Sequence, residues 1–177
     1  MPRLFVAIRP PAEIRRTLLD LMGGIPGARW QDDERLHITL RFVGEVDRHC
    51  AADLTAALSE IHFQPFEIAL TGLGQFDRRG RIDTLWSGVQ PRHQLSQLHK
   101  RIDRACTSVG LRPYERAYLP HITIARFGRA AGSMEDFIAV HGGFTSTVFT
   151  VDSFALFESH LGHEGATYHI VERYRAA

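Results

Sequence analysis

A tetrapeptide that occurs twice constrains this chain more than any other feature. His37-Ile38-Thr39-Leu40 and His121-Ile122-Thr123-Ile124 are nearly identical and lie 84 residues apart. With ten histidines among 177 residues, a single H-x-T would be unremarkable. Two copies that share the middle residue and end in an aliphatic are not. Each sits in a strand-like run, where side chains alternate between faces. His37 and Thr39 then point one way, with Ile38, Leu40 and Phe42 behind them. His121 and Thr123 share a face, backed by Ile122 and Ile124. Each copy presents an imidazole beside a hydroxyl. Two such strands facing one another would surround a small anion with two acid/base groups and two donors, a layout for phosphodiester chemistry without a metal.

The length suits one domain, 1–177, built as two small lobes with one motif in each. No apolar run approaches the ~20 residues needed to span a bilayer. Met1-Pro2-Arg3-Leu4-Phe5-Val6-Ala7-Ile8 lacks the pattern of a signal peptide and reads as a strand. Cys50 and Cys106 fall on apolar faces of expected helices, so buried thiols are favoured over a disulfide, and the default expectation is a cytoplasmic protein. A net charge of +1 does not advertise nucleic-acid binding. Lys100 is the only lysine; arginine suits bidentate phosphate contacts, but codon bias explains such a skew more simply. Any phosphate argument therefore rests on particular positions.

Residues 3–9 read as a strand, followed by a helix opened by Pro10-Pro11, striped with Ile14, Leu18, Leu21 and Met22, and stopped at Gly23-Gly24. Residues 34–43 form the first motif strand. Asp47 is the expected cap of a helix carrying Cys50, Leu54, Leu58 and Ile61 on one face. Extended segments are expected over 63–73 and 83–89, separated by a loop through Asp77-Arg78-Arg79-Gly80-Arg81. A third helix follows Pro91, with Leu95, Leu98, Ile102, Cys106 and Val109 in register. The second motif strand covers 118–127. Ser133 is placed to cap a short helix, 144–157 is β-prone, 158–165 reads as a loop and 168–174 as a last strand. Strands joined by turns, with helices between, indicate α+β. The repeated motif indicates a duplicated, bilobal fold with a pseudo-two-fold axis.

Arg35 and Arg41 share strand parity with His37 and would make that face positive. Arg126 has the wrong parity relative to His121 and reaches the same anion only if the strand ends or bulges near Ala125; otherwise it reads as a solvated strand-end charge. His160 and His163, with Glu158 and Glu164, match no trusted metal spacing, so no metal is expected and a metallohydrolase is the weakest reading.

These segments resemble the bacterial and archaeal 2′-5′ RNA ligase/RNA 2′,3′-cyclic phosphodiesterase family, within the two-histidine phosphoesterase superfamily. The resemblance includes Arg3-Leu4-Phe5-Val6-Ala7-Ile8, His37 through Gly44, Leu85-Trp86-Ser87-Gly88-Val89, Leu119 through Arg126, and Leu156-Phe157-Glu158-Ser159-His160-Leu161 with Gly165 and Tyr168. It implies antiparallel sheets forming a central cleft, with helices on the outer faces. It implies hydrolysis of RNA 2′,3′-cyclic phosphates to 2′-phosphomonoesters, with reversible 2′-5′ ligation in some members. It also implies His37 as proton donor, His121 as proton acceptor, and Thr39, Thr123 and Arg126 on the phosphate. No cofactor is implied. The expected partner is RNA ending in a cyclic phosphate, such as a tRNA half, bound by a monomer. Two competing readings are a phosphodiesterase for a small cyclic nucleotide such as ADP-ribose cyclic phosphate, and a non-catalytic RNA-end-binding module. Phe5, Phe42 and Phe127 are candidates to stack on the terminal base. The Arg78–Arg81 loop reads first as a solvated turn and second as a track for an RNA backbone.

Overall fold

The computed structural model describes residues 1–129 and 131–177. In chain order the elements are β1 (Arg3–Ile8), α1 (Ala12–Leu21), β2 (Ala28–Trp30), a 3₁₀ turn (Asp33–Arg35), β3 (Ile38–Glu45), α2 (Arg48–Ser59), β4 (Phe66–Arg78), β5 (Arg81–Gln90), α3 (His93–Ser108), β6 (His121–Phe127), α4 (Glu135–His141), β7 (Phe149–Val151), β8 (Ser153–Gly162) and β9 (Gly165–Arg175). One sheet runs β3-β1-β8-β9 and the other β2-β6-β5-β4-β7. Every strand pairing is antiparallel, so the expected α+β class holds.

The duplication is visible in the connections. Each half reads strand, helix, motif strand, helix: β1-α1-β3-α2, then β5-α3-β6-α4. In each, the motif strand pairs with the strand that opens its half. A single apolar core joins both sheets. Leu4, Val6 and Ile8 of β1 enter it on alternate positions with Ile38 and Leu40 from β3, Ile122 and Ile124 from β6, and Leu95, Leu98 and Ile102 from α3. Burying an aliphatic side chain stabilises by about 1.5–3 kcal/mol, so this stripe fixes which face of each motif strand looks inward. On the opposite face of β1, Phe5 and Ala7 form a smaller cluster with Ala155, Phe157 and Tyr168.

Several boundaries differ from the sequence expectation. The first motif strand begins at Ile38, because Asp32 caps a 3₁₀ turn through the Arg35 amide and takes residues 33–35 out of extended geometry. β2 has no apolar alternation to announce it; it is a short edge strand on β6. The segments expected as strand, loop and strand over 63–89 are one long hairpin, closed by the two-residue turn Arg79-Gly80. Likewise 158–165 is no loop, because β8 runs to Gly162 and turns at His163-Glu164 into β9. Residues 118–120 carry no strand, and 144–148 carry only an isolated bridge from Thr145 to Thr71. Asp47 caps α2 as expected, accepting from the Cys50 amide at 2.7 Å. Ser133 accepts from the Glu135 amide, one residue outside α4's cap at Met134. Cys50 and Cys106 are free thiols.

Candidate active site

Both motif strands carry a β-bulge at the same motif position. Ala7 pairs with Thr39 and Val6 with Arg41, leaving Leu40 as the extra residue of β3. Trp86 pairs with Thr123 and Leu85 with Ala125, leaving Ile124 as the extra residue of β6. The aliphatic that closes each tetrapeptide is thus the bulged residue, and it inverts the parity of the residues that follow it, in β3 as far as a second register shift at Val43. Arg126 thereby joins His121 and Thr123 on one face and lines the same cleft. In the first copy the inversion has the opposite effect on expectation. Phe42, the counterpart of Arg126, turns into the cleft and stays 49% exposed. Arg41, expected beside His37, is buried instead. It donates to the Asp103 carboxylate at 2.9 Å and to the Phe42 and Arg112 carbonyls, tying β3 to α3.

A bulge detaches backbone groups from the ladder, and these need other partners. Tyr118 donates its hydroxyl to the Thr39 carbonyl at 2.9 Å. His99, buried in α3, donates Nδ1–H to the Leu40 carbonyl at 2.6 Å. The Tyr118 and His99 rings stack at 4.2 Å. The lead-in to the second motif thus braces the bulge of the first.

His37, Thr39, His121, Thr123 and Arg126 line one cleft of about 740 Å³, together with Phe5, Phe42, Arg35 and Tyr168. His121 Nδ1 donates to the Leu119 carbonyl, two residues upstream, at 2.7 Å. The backbone of Arg35, also two residues upstream, stands close enough to His37 to favour its protonated form. The bond at His121 Nδ1 leaves Nε2 as the unprotonated nitrogen of that ring when it is neutral. Aromatic rings box each imidazole. Phe5 and Tyr168 lie 5.0 and 5.4 Å from His37, while Phe76 and Trp86 lie 5.0 and 5.8 Å from His121. Gly74 makes room for this second box, since a Cβ there would run into the Trp86 indole.

These surroundings set the charge. Burial lowers the His37 pKa to about 4, opposed by the Arg35 backbone and reinforced by Arg9, His121 and Arg126. Burial also lowers that of His121, with Arg126 adding to it. Both rings are therefore neutral near pH 7 when the cleft holds no anion. Desolvation is the first cause, ahead of the neighbouring arginines. Arg126 makes no ion pair among the described residues. Arg35 lines the cleft, but its guanidinium is engaged by the Glu164 and Ala166 carbonyls, which moors the β8–β9 turn.

Of the three phenylalanines considered for base stacking, only Phe42 offers a free face. Phe5 is buried beneath His37, and Phe127 lies in the core. Phe76, Trp86, Tyr168 and the Tyr118–His99 brace were missed by sequence reasoning. Phe76 was hidden by reading its strand end as loop; Trp86 and Tyr168 stood in segments already singled out. Among the described residues no group of three or more His, Cys, Asp or Glu side chains could hold a metal. His160 lies 3.8 Å from Glu158 and against His169 on the exposed β8–β9 hairpin. No helix among the described residues is long and apolar enough to cross a membrane.

Comparisons with known proteins point to one family. Residues 6–163 match the model of the 2′-5′ RNA ligase superfamily. An Archaeoglobus fulgidus protein named RNA 2′,3′-cyclic phosphodiesterase is 31% identical over 169 residues, covering 94% of this chain and 96% of that one. A protein of the same name from Aeropyrum pernix is 33% identical over 157 residues, covering 87% and 89%. The crystal structure of Escherichia coli LigT complexed with 3′-AMP superposes with a TM-score of 0.80 at 25% identity, covering 100% of this chain and 99% of that one. With a repeated H-x-T-x strand in each sheet, a shared cleft between the motifs and a family match over nearly its whole length, the chain belongs to the 2′-5′ RNA ligase superfamily.

Proposed function

We propose that this protein hydrolyses RNA 2′,3′-cyclic phosphate ends to 2′-phosphomonoesters by metal-independent acid/base catalysis between His37 and His121. The observation that carries the reading is the matched pair of imidazoles lining one cleft, each boxed by aromatic rings and each with the motif threonine beside it on the cleft wall. The relatives named RNA 2′,3′-cyclic phosphodiesterase supply the substrate class.

The steps follow from the groups. The cyclic phosphate sits between the two histidines, with the Thr39 and Thr123 hydroxyls donating to its non-bridging oxygens. Water attacks phosphorus in line with the 3′-oxygen. Neutral His121 takes the water proton at Nε2 as the new P–O bond forms. The bond from phosphorus to the 3′-oxygen breaks, and protonated His37 gives that oxygen its proton. Arg126 offsets the negative charge gathering on the equatorial oxygens. His37 is neutral in the free protein, so the substrate's own negative charge must raise its pKa before it can act as acid. Phe42 provides the face on which the terminal base stacks, with the Arg3 guanidinium 5.5 Å from the ring centroid. With the 5′-hydroxyl of a second RNA in place of water, the same displacement, His121 taking the hydroxyl proton and His37 protonating the departing 3′-oxygen, joins the two ends through a 2′-5′ linkage. Within the cell, tRNA halves are fitting substrates and the cytoplasm the fitting place.

The test is to incubate the protein with a short RNA ending in 2′,3′-cyclic phosphate, in millimolar EDTA, and to identify the product. We expect a 2′-phosphomonoester at an undiminished rate. A 3′-phosphate product, or activity that EDTA abolishes and zinc or manganese restores, would contradict the mechanism. Adenosine 2′,3′-cyclic phosphate and ADP-ribose cyclic phosphate serve as small-substrate controls.

A further inference from the structure

The β4–β5 hairpin gathers positive charge in an arrangement that costs the free protein stability. Arg78, Arg79 and Arg81 are exposed at its tip, and Arg129 joins them from the turn after β6 around a depression of about 280 Å³. Arg78 pairs directly with Arg81 across the hairpin. On the neighbouring edge Arg29 pairs directly with Arg126. Like charges directly opposite one another repel, and two such pairs stand in one sheet. None of these arginines is ion-paired among the described residues. The nearby carboxylates, Asp77 and Asp83, are engaged by Gln75 and Thr84 instead. Arg79 adds a conformational cost. Its φ of 53° is the left-handed region, which asparagine or glycine would occupy with less strain in a two-residue hairpin turn. A merely solvated turn needs neither facing arginines nor an arginine in that conformation.

The patch continues the cleft. Arg78 follows Phe76 by two residues on β4 and shares its face, and Phe76 packs against His121. Arg129 lies three residues past Arg126, and Arg81 three residues before Thr84, the residue paired with Arg126. At the strand rise of ~3.3 Å per residue, both are roughly 10 Å along the sheet from the phosphate-facing arginine.

We propose that Arg78, Arg79, Arg81 and Arg129 hold the single-stranded phosphodiester backbone of the RNA upstream of its cyclic end. The charge repulsion is relieved only when a polyanion lies across the hairpin. This rests on the proposed cyclic-phosphate chemistry for its direction, but not for its test. Neutral Arg78→Gln/Arg81→Gln/Arg129→Gln protein should stay folded and melt at or slightly above the wild-type temperature, most visibly at low salt, because the side chains are exposed and the facing charges are gone.

Two readouts decide. In the first, kcat/KM is measured on adenosine 2′,3′-cyclic phosphate and on an RNA of about ten nucleotides ending in cyclic phosphate, across a salt series. Each phosphate contact on a single strand contributes about 0.7 to the log–log salt slope, so the variant should lose about 2 from its slope on the long substrate. Turnover of the mononucleotide should be unchanged. In the second, fluorescence anisotropy measures binding of the same RNA with a 3′-hydroxyl end, and the variant should bind at least tenfold more weakly at low salt. Equal losses on both substrates, or unchanged anisotropy, would overturn the proposal. If wild-type protein turns over neither substrate, the catalytic reading falls, and anisotropy alone decides the patch.

Discussion

Replacing Tyr118 by Phe isolates the brace between the two motifs. The change deletes one hydroxyl, whose partner is the Thr39 carbonyl at 2.9 Å, and keeps the ring stacked on His99. No cavity opens in the apolar core. The Thr39 carbonyl, on the edge strand β3, loses this donor, and stranding such a group costs about 1–3 kcal/mol. Thr39 is half-buried, so water recovers part of this. We expect a net loss of about 1–2 kcal/mol. At a urea slope of about 2 kcal/mol per molar, mid-range for a small domain, the midpoint should fall by about 0.5–1 M with the slope unchanged. Activity should fall with it, because the Thr39 hydroxyl is aimed by the adjacent bulge. A kcat/KM loss of about threefold to tenfold matches a displacement worth about 1 kcal/mol. Paired with Thr39→Val, the two losses should be less than additive. An unchanged midpoint together with unchanged kcat/KM would refute the brace.

Other outcomes follow from the same geometry. Thr39→Val and Thr123→Val should each cost about 1–3 kcal/mol in transition-state binding, read as kcat/KM. Arg126→Ala should lower kcat/KM, with lysine rescuing only in part, since lysine brings charge without the planar fork; normal turnover would show that the bulge does not deliver this side chain to the phosphate. Phe42→Ala should raise KM for substrates with a terminal base and leave folding intact, because the ring is half exposed; an unchanged KM would remove it from the base site. Stability should also depend on pH through His37. Its folded-state value of about 4 lies below the unfolded value near ~6.5, so between them the unfolded chain binds more protons. That contribution, on the order of 3 kcal/mol, is fully present above pH ~6.5 and is lost as pH falls toward 4. Urea midpoints at pH 5 and pH 7.5 should differ more for wild type than for His37→Asn, and equal differences would contradict the burial argument.

The parts of the site written in local pattern could be read before the fold. His37 and Thr39, and His121 and Thr123, share faces because side chains alternate along a strand; the parity of Arg126 asked for either a strand end or a bulge near Ala125, and the β5–β6 register decides for the bulge. The bulge in β3 had no such marker. Arg41 and Phe42 exchange roles there, with Asp103 of α3 receiving the arginine, and only tertiary pairing shows this. The aromatic boxes are equally non-local. Phe76 meets His121 across two strands, and Tyr168 reaches His37 from β9, far along the chain. Helix α3 was legible from its apolar spacing, but the role of His99 was not, because a buried histidine on an apolar face has no sequence signature.

The most direct test of the two-histidine claim is the pH dependence of kcat/KM for wild type, His37→Ala and His121→Ala, on one cyclic-phosphate-ended RNA in EDTA. One imidazole must be neutral and the other protonated, so wild type should give a bell. Both rings are depressed by burial in the free protein, so its maximum should lie on the acid side of ~6.5. The limbs belong to the pair, and each single variant should lose one of them along with about 10²–10⁴-fold in rate. A bell that survives intact in either folded variant, or a rate near that of wild type, would contradict the claim that these two histidines carry the protons.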